Sequence, residues 1–246
     1  MRMVVMAAPS KQTPVEPGVV ARSGWRRLFL PATYGYGGLL IMVTVVLAVL
    51  GDSTQARVIM HFSTNLHNLM RGHITTLFSS AFLIGDTDTS LIVIPLLICL
   101  LALAELKFGS GRSIRIFLAG HLGATLLVAS GLWIAVSEHW MPLSITHAED
   151  VGISYGAMAL IGAFLVLMPE RWRPTWAITW IAVAVAGVAM GHTFTNVGHL
   201  ISVSIGLLMG CWLIRRGKSL MPSRLMRFEM VLLVTAILLG YTILVG

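Results

Sequence analysis

Gly152-Ile153-Ser154-Tyr155-Gly156 fits the pattern G-x-S-x-G, and His199 follows in Asn196-Val-Gly-His-Leu-Ile-Ser-Val-Ser-Ile-Gly206. A serine hydroxyl is a weak nucleophile until a neighbouring base takes its proton. An imidazole in contact can do that, and can afterwards protonate a leaving amine. The hydrolase elbow that bears this pattern needs a strand, a turn and a helix. Nothing before Gly152 reads as a buried strand, so that fold is excluded. The plainer reading is packing, since Gly152-xxx-Gly156 is also a small-xxx-small face that lets two membrane helices touch. A lone His199 would likewise be an interfacial or hydrogen-bonded packing histidine. What decides between the readings is whether the two side chains meet, and that depends on the elements that carry them.

Those elements are membrane helices. The chain has 246 residues, 57% of them hydrophobic, and a mean hydropathy of +0.86, far outside the range of a soluble domain. At 1.5 Å per residue and a hydrocarbon layer of ~30 Å, apolar runs near 33–50, 90–106, 115–136, 152–168, 174–190, 199–214 and 228–245 predict seven spans. Of the 17 Lys and Arg, fifteen fall in 1–32, 107–115, 169–174 and 215–227, and only Arg57 and Arg71 in the alternate loops. The formal charge of +7 is therefore a topology signal and does not point to nucleic acid. By the positive-inside rule the N-terminus is cytoplasmic, the C-terminus external, and a plasma (inner) membrane is the expected location.

This orientation places Ser154 and His199 at similar depth, because the fourth and sixth spans both run inward from outside. Ser202, Gly206 and Gly210 recur every four residues and predict a flat face on the sixth span, matched by Gly152, Gly156 and Ala159 on the fourth. Contact at hydrogen-bonding distance then becomes attainable, and the catalytic reading gains on the packing one. Backbone N–H groups at the start of the fourth helix would hold an oxyanion, and Asp150 is the expected N-cap.

The rest of the chain frames this pair. Residues 1–30, with Pro9, Pro14 and Pro17, read as a flexible cytoplasmic tail. The apolar stretch 3–8 is too short for a signal peptide core, so no cleavage is expected. The external segment 51–89 is too long and apolar for bare loop and predicts short surface helices. His61, His67 and His73 are six residues apart, a poor spacing for a metal, so no metal site and no cofactor are expected. His121 is expected to snorkel or to bond a carbonyl. Cys99 and Cys211 lie in apolar runs and imply no disulfide framework. Trp25, Trp133, Trp140, Trp172 and Trp176 fall near span ends, as in an aromatic belt. No internal repeat, broken-helix pair or buried charge suggests a transporter.

With these residues in place, the chain over 33–214 resembles the rhomboid family of intramembrane serine proteases. Gly152-x-Ser154 opening the fourth span is similar to the family's nucleophile motif. His199 with a small residue three on and Gly206 seven on is similar to its histidine motif. Glu105-Leu-Lys-Phe-Gly-Ser-Gly-Arg112 resembles its Glu followed by a Gly-Ser-Gly-basic turn. Arg71 and Thr75-Thr76-Leu77-Phe78-Ser79-Ser80-Ala81-Phe82 resemble its external segment.

The resemblance implies an all-α, six-helix core over 31–216, followed by a basic loop and seventh transmembrane helix over 217–246. It also implies a Ser154–His199 dyad cleaving transmembrane protein substrates near the outer face, with Glu105 structural. The family's His-x-x-x-Asn of the second span is replaced by Thr89 and Val93, which removes oxyanion donors and leaves a catalytically silent pseudoprotease as the alternative. Gly152, Tyr155, His192 and Asn196 are the local candidates to contact oxyanion or substrate, and Gly156, Gly206 and Gly210 are expected to be structural. Tyr155 stands where the family has a small glycine, and Met158 where it has a tyrosine stacked on the histidine. The expected partners are a transmembrane substrate or partner helix and the lipid bilayer.

Overall fold

Helix starts follow local chemistry. In a computed structural model, which describes residues 29–85, 87–216 and 225–245, α1 (Pro31–Leu50) opens on a proline, whose missing N–H costs nothing in a first turn. Residues 1–28 of the tail expected over 1–30, and residues 217–224 of the basic loop, lie outside the described residues. The segment after α1 folds as short helices, α2 (Asp52–Phe62), α3 (Leu66–Met70) and α4 (Thr76–Ser79). Buried Asn65 and Asn68 tie it together: Asn65 caps α3, and the Asn68 amide donates to the carbonyls of Met60, His61 and Ser63.

Five longer helices and one short one follow among the described residues. They are α5 (Thr87–Phe108), α6 (Ser110–Ser137), α7 (Ile153–Ala163), α8 (Arg173–Gly191), α9 (Phe194–Arg215) and α10 (Arg227–Val245). Among the described residues six helices, α1, α5, α6, α8, α9 and α10, are long and apolar enough to cross a membrane, so the chain is an integral membrane protein, all-helical over those residues. The expected count of seven spans is corrected here. The run at 152–168 forms an 11-residue α7 continued by a single 3-10 stretch, Phe164–Leu167, about 16 Å of α-helix at 1.5 Å per residue. The physical reason is burial. α7 packs against α5, α6, α9 and α10, and every residue of it except Ser154 is buried. A helix coated by protein on all sides does not meet lipid and need not match its thickness.

Small residues set the closest approaches. A Cβ added at Gly206 of α9 would lie 2.1 Å from the Ala159 carbonyl oxygen of α7, and one at Gly162 would lie 2.4 Å from that of Val203. Gly210 meets Ala163 in the same seam. Gly152 and Gly156, expected on this seam, instead face α6, where added Cβ atoms would meet the rings of His121 and Phe117. At the opposite end of the bundle, the Glu105 carboxylate accepts from the N–H groups of Ala32 and Thr33 and from the hydroxyls of Thr33 and Ser110. It thereby ties the start of α1 to the turn between α5 and α6. α10 packs on both α5 and α8 and is held by a Lys107–Glu229 ion pair of 2.7 Å.

Candidate active site

Ser154 is the second residue of α7, and its hydroxyl lies 2.9 Å from Nε2 of His199. The two helices that carry them touch through the seam just described, so the distance is set by backbone packing and not by two mobile loops. His199 is buried to 4% exposure. It sits more than a turn inside α9, because Thr193 caps that helix by accepting from the Asn196 N–H, earlier than the start expected at 199. A serine hydroxyl donating to Nε2 requires the ring proton to be on Nδ1.

The first turn of α7 has no side-chain cap. Asp150, the expected N-cap, is two residues too early; the cap position is Gly152, and the Asp150 side chain is buried with Oδ1 unpartnered. N–H groups in the first turn of a helix have no intrahelical acceptor. Those beside Ser154 are therefore donors available to an anion developing on a carbonyl attacked by that serine.

Ser154 opens onto a cavity of about 470 Å³. Thr89, Val93 and Leu97 of α5 form one wall, and Leu239 and Thr242 of α10 another. Gly152 and Tyr155 are near the serine in the chain but do not line the cavity: Gly152 faces His121, and Tyr155 is buried against His199. His192 and Asn196 are not brought to it: the Asn196 amide donates to the Gly187 carbonyl, while the exposed His192 ring pairs with the Met190 carbonyl.

Two features were missed from sequence, and a third, the bonding of His121 to carbonyls, is one of the two expectations stated for it. Met158 is buried in the core, but Tyr155 itself supplies the aromatic neighbour of His199, edge-on with ring centroids 5.5 Å apart. His121, wholly buried in the middle of α6, lies 3.0 Å through Nδ1 from the Gly152 carbonyl and 2.7 Å through Nε2 from that of Leu77. A neutral imidazole has one N–H, so only the imidazolium donates to both. Asp150 is the other missed feature, its carboxyl pushed up to about 7 by burial. The signal for His121 was a histidine inside an otherwise apolar span; Asp150 carried no signal beyond its place before a helix.

The α2 to α4 segment closes over this end. The Thr64 N–H donates to the Asp150 carbonyl, the Gly152 N–H to that of Ser80, and the Thr64 and Ser80 hydroxyls bond each other at 2.6 Å. Residues 27–221 match the family described as rhomboid-like protein. The chain belongs to the rhomboid-like family. No curated protein and no solved structure matched the chain. Rhomboid-like proteins include proteases and pseudoproteases. Membership therefore places the chain on a scaffold common to both and leaves its chemistry to be read from the residues.

Proposed function

We infer that this rhomboid-like protein is an intramembrane serine endopeptidase that cleaves transmembrane protein substrates through Ser154 and His199. The observation that carries the reading is the 2.9 Å contact between the serine hydroxyl and Nε2 of a buried histidine, at a cavity wall. Ser154 Oγ attacks the scissile carbonyl carbon as its proton passes to Nε2. The carbonyl oxygen becomes an oxyanion facing the uncapped first turn of α7. His199 then gives the proton to the departing amine, leaving an acyl-serine that water hydrolyses by the same steps in reverse roles. A substrate segment would reach the cavity between α5 and α10, whose side chains form its walls. The distribution of Lys and Arg supports a cytoplasmic N-terminus and cleavage near the outer face of a plasma membrane.

Fluorophosphonate labelling tests the nucleophile. Wild-type protein should label and Ser154→Ala should not; equal labelling of both refutes the assignment. A specific observation favours a second reading, a pseudoprotease that binds membrane helices without cutting them: the cavity wall on α5 presents Thr89 and Val93 where proteases of the family carry His and Asn. Reconstitution with a generic transmembrane substrate separates the two. Ser154-dependent fragments eliminate the pseudoprotease.

A further inference from the structure

Behind the dyad lie polar atoms that this reaction does not use. Nδ1 of His199, the hydroxyl of Tyr155 and Oδ1 of Asp150 are each buried without a hydrogen-bond partner. Such orphans are rare in folded proteins, and each asks for an explanation. Here they are joined by one side chain. The Tyr155 ring meets the His199 ring at 75°, and its hydroxyl lies against Gly198, where an added Cβ would come within 2.4 Å. The same hydroxyl faces the Asp150 carboxyl and the Thr195 side chain. Each of the three groups has a rigid support: Tyr155 on α7, His199 on α9, and Asp150 through its backbone carbonyl, which accepts from Thr64 at 3.0 Å.

We propose that Asp150 and Tyr155 are positioning residues for His199, the phenol donating to the carboxylate and accepting from Nδ1–H, so that Nε2 is held free toward Ser154. A phenol oxygen can donate and accept at once. When His199 takes the serine proton, the carboxylate faces the new imidazolium through the phenol, and no proton passes to Asp150. The three groups adjoin without closing these bonds, and catalytic hydrogen bonds commonly tighten only in the course of the reaction. The inference rests on the dyad reading above.

It carries a pH signature. The titratable groups on the elements packed around Asp150 are Tyr155 on α7, His199 on α9, His121 on α6, and Arg57, His61, His67, Arg71 and His73 on the α2 to α4 segment that bonds its backbone, with His147 and Glu149 just before it in the chain; no ion pair among the described residues involves Asp150. With its carboxyl raised to about 7, the carboxylate forms only as pH passes through neutrality.

The test uses the full-length protein in micelles and two readouts. The first is the rate of fluorophosphonate labelling at Ser154 from about pH 5 to about pH 9. Wild type should show a rise centred near 7. Asp150→Asn should lose that step and label about tenfold more slowly above it, one pKa unit being a factor of ten. An unchanged rate and profile overturns the inference and leaves the dyad standing. The second readout needs no reactivity: the ring nitrogen shifts of His199 by NMR, identified by their loss in His199→Gln. Wild type should show the Nδ1–H tautomer, and both Asp150→Asn and Tyr155→Phe should weaken it and lower the ring's apparent pKa. Identical shifts in all three proteins overturn the inference even where the serine is inert. Should Asp150→Asn not fold, Tyr155→Phe keeps the packed ring and carries both expectations. A wild type that never labels sinks the peptidase reading, and the NMR arm then decides the positioning alone.

Discussion

Ser154 stands between two walls built in opposite ways. On the side of α6 and α9, backbones come so close that glycine is the only residue that fits, and Gly120, Gly162 and Gly206 would each meet a neighbour's atoms within 2.5 Å of a Cβ. On the side of α5 and α10, larger side chains stand apart and leave a cavity of about 470 Å³. The first wall fixes the serine to the histidine, and the second admits something to the serine. A site that needs both precision and access is served by this division, because packing that is rigid on all faces would exclude a substrate and packing that is loose on all faces would lose the 2.9 Å contact.

The largest test of that division is a substitution on the tight wall. Gly206→Val places methyls where the Ala159 carbonyl oxygen already stands, and the obstacle is backbone, which cannot rotate away. Unfolding should be easier by about 3 kcal/mol or more, seen as a lowered melting temperature or loss of folded protein. Thr242→Val on the cavity wall should change the melting temperature little, since its side chain borders open space. Equal effects of the two would show that the walls are not distinct in packing.

A second test sharpens the chemistry of the loose wall. Thr89 and Val93 line the cavity with Ser154 and His199, so donors introduced there would face the site of the developing oxyanion. Thr89→His with Val93→Asn should raise the rate of substrate cleavage by roughly 10²-fold, the worth of one good oxyanion donor. Labelling of Ser154 without any gain in cleavage would show that the first turn of α7 already supplies what the reaction needs.

Much of this division was legible in sequence. Hydropathy marked the six long helices, and the alternation of basic loops put Ser154 and His199 at one depth before any geometry was known. The small residues of α9 also announced a close seam. What could not be read was the rotation of α7 about its own axis. Gly152 and Gly156 turn toward His121 and Phe117 on α6, while Ala159 and Gly162 take the seam with α9, because α7 must satisfy two neighbours at once. That rotation swings Tyr155 onto His199, a contact no spacing along the chain reveals. The length of α7 was hidden for a related reason: an apolar run reads alike whether its surroundings are lipid or protein, so 152–168 looked like a span.

The smallest expected effect concerns Asp150, whose carboxyl belongs to neither wall but lies under the α2 to α4 segment, which bonds its backbone. Its folded-state pKa is raised from 3.8 to about 7, chiefly by burial. Between those values the folded protein binds a proton that the unfolded chain releases, so stability falls as pH rises from about 4 to about 7 and stays at the lower level above. Asp150→Asn removes the titration. Melting temperatures of the variant should therefore vary less with pH, match wild type below about pH 4, and exceed it near pH 8 by the equivalent of a few kcal/mol at most. Parallel curves for the two proteins would mean that the carboxyl meets water in the folded state. A more stable variant that also labels more slowly would show instead that the ionised carboxylate is kept for the histidine at a cost to the fold.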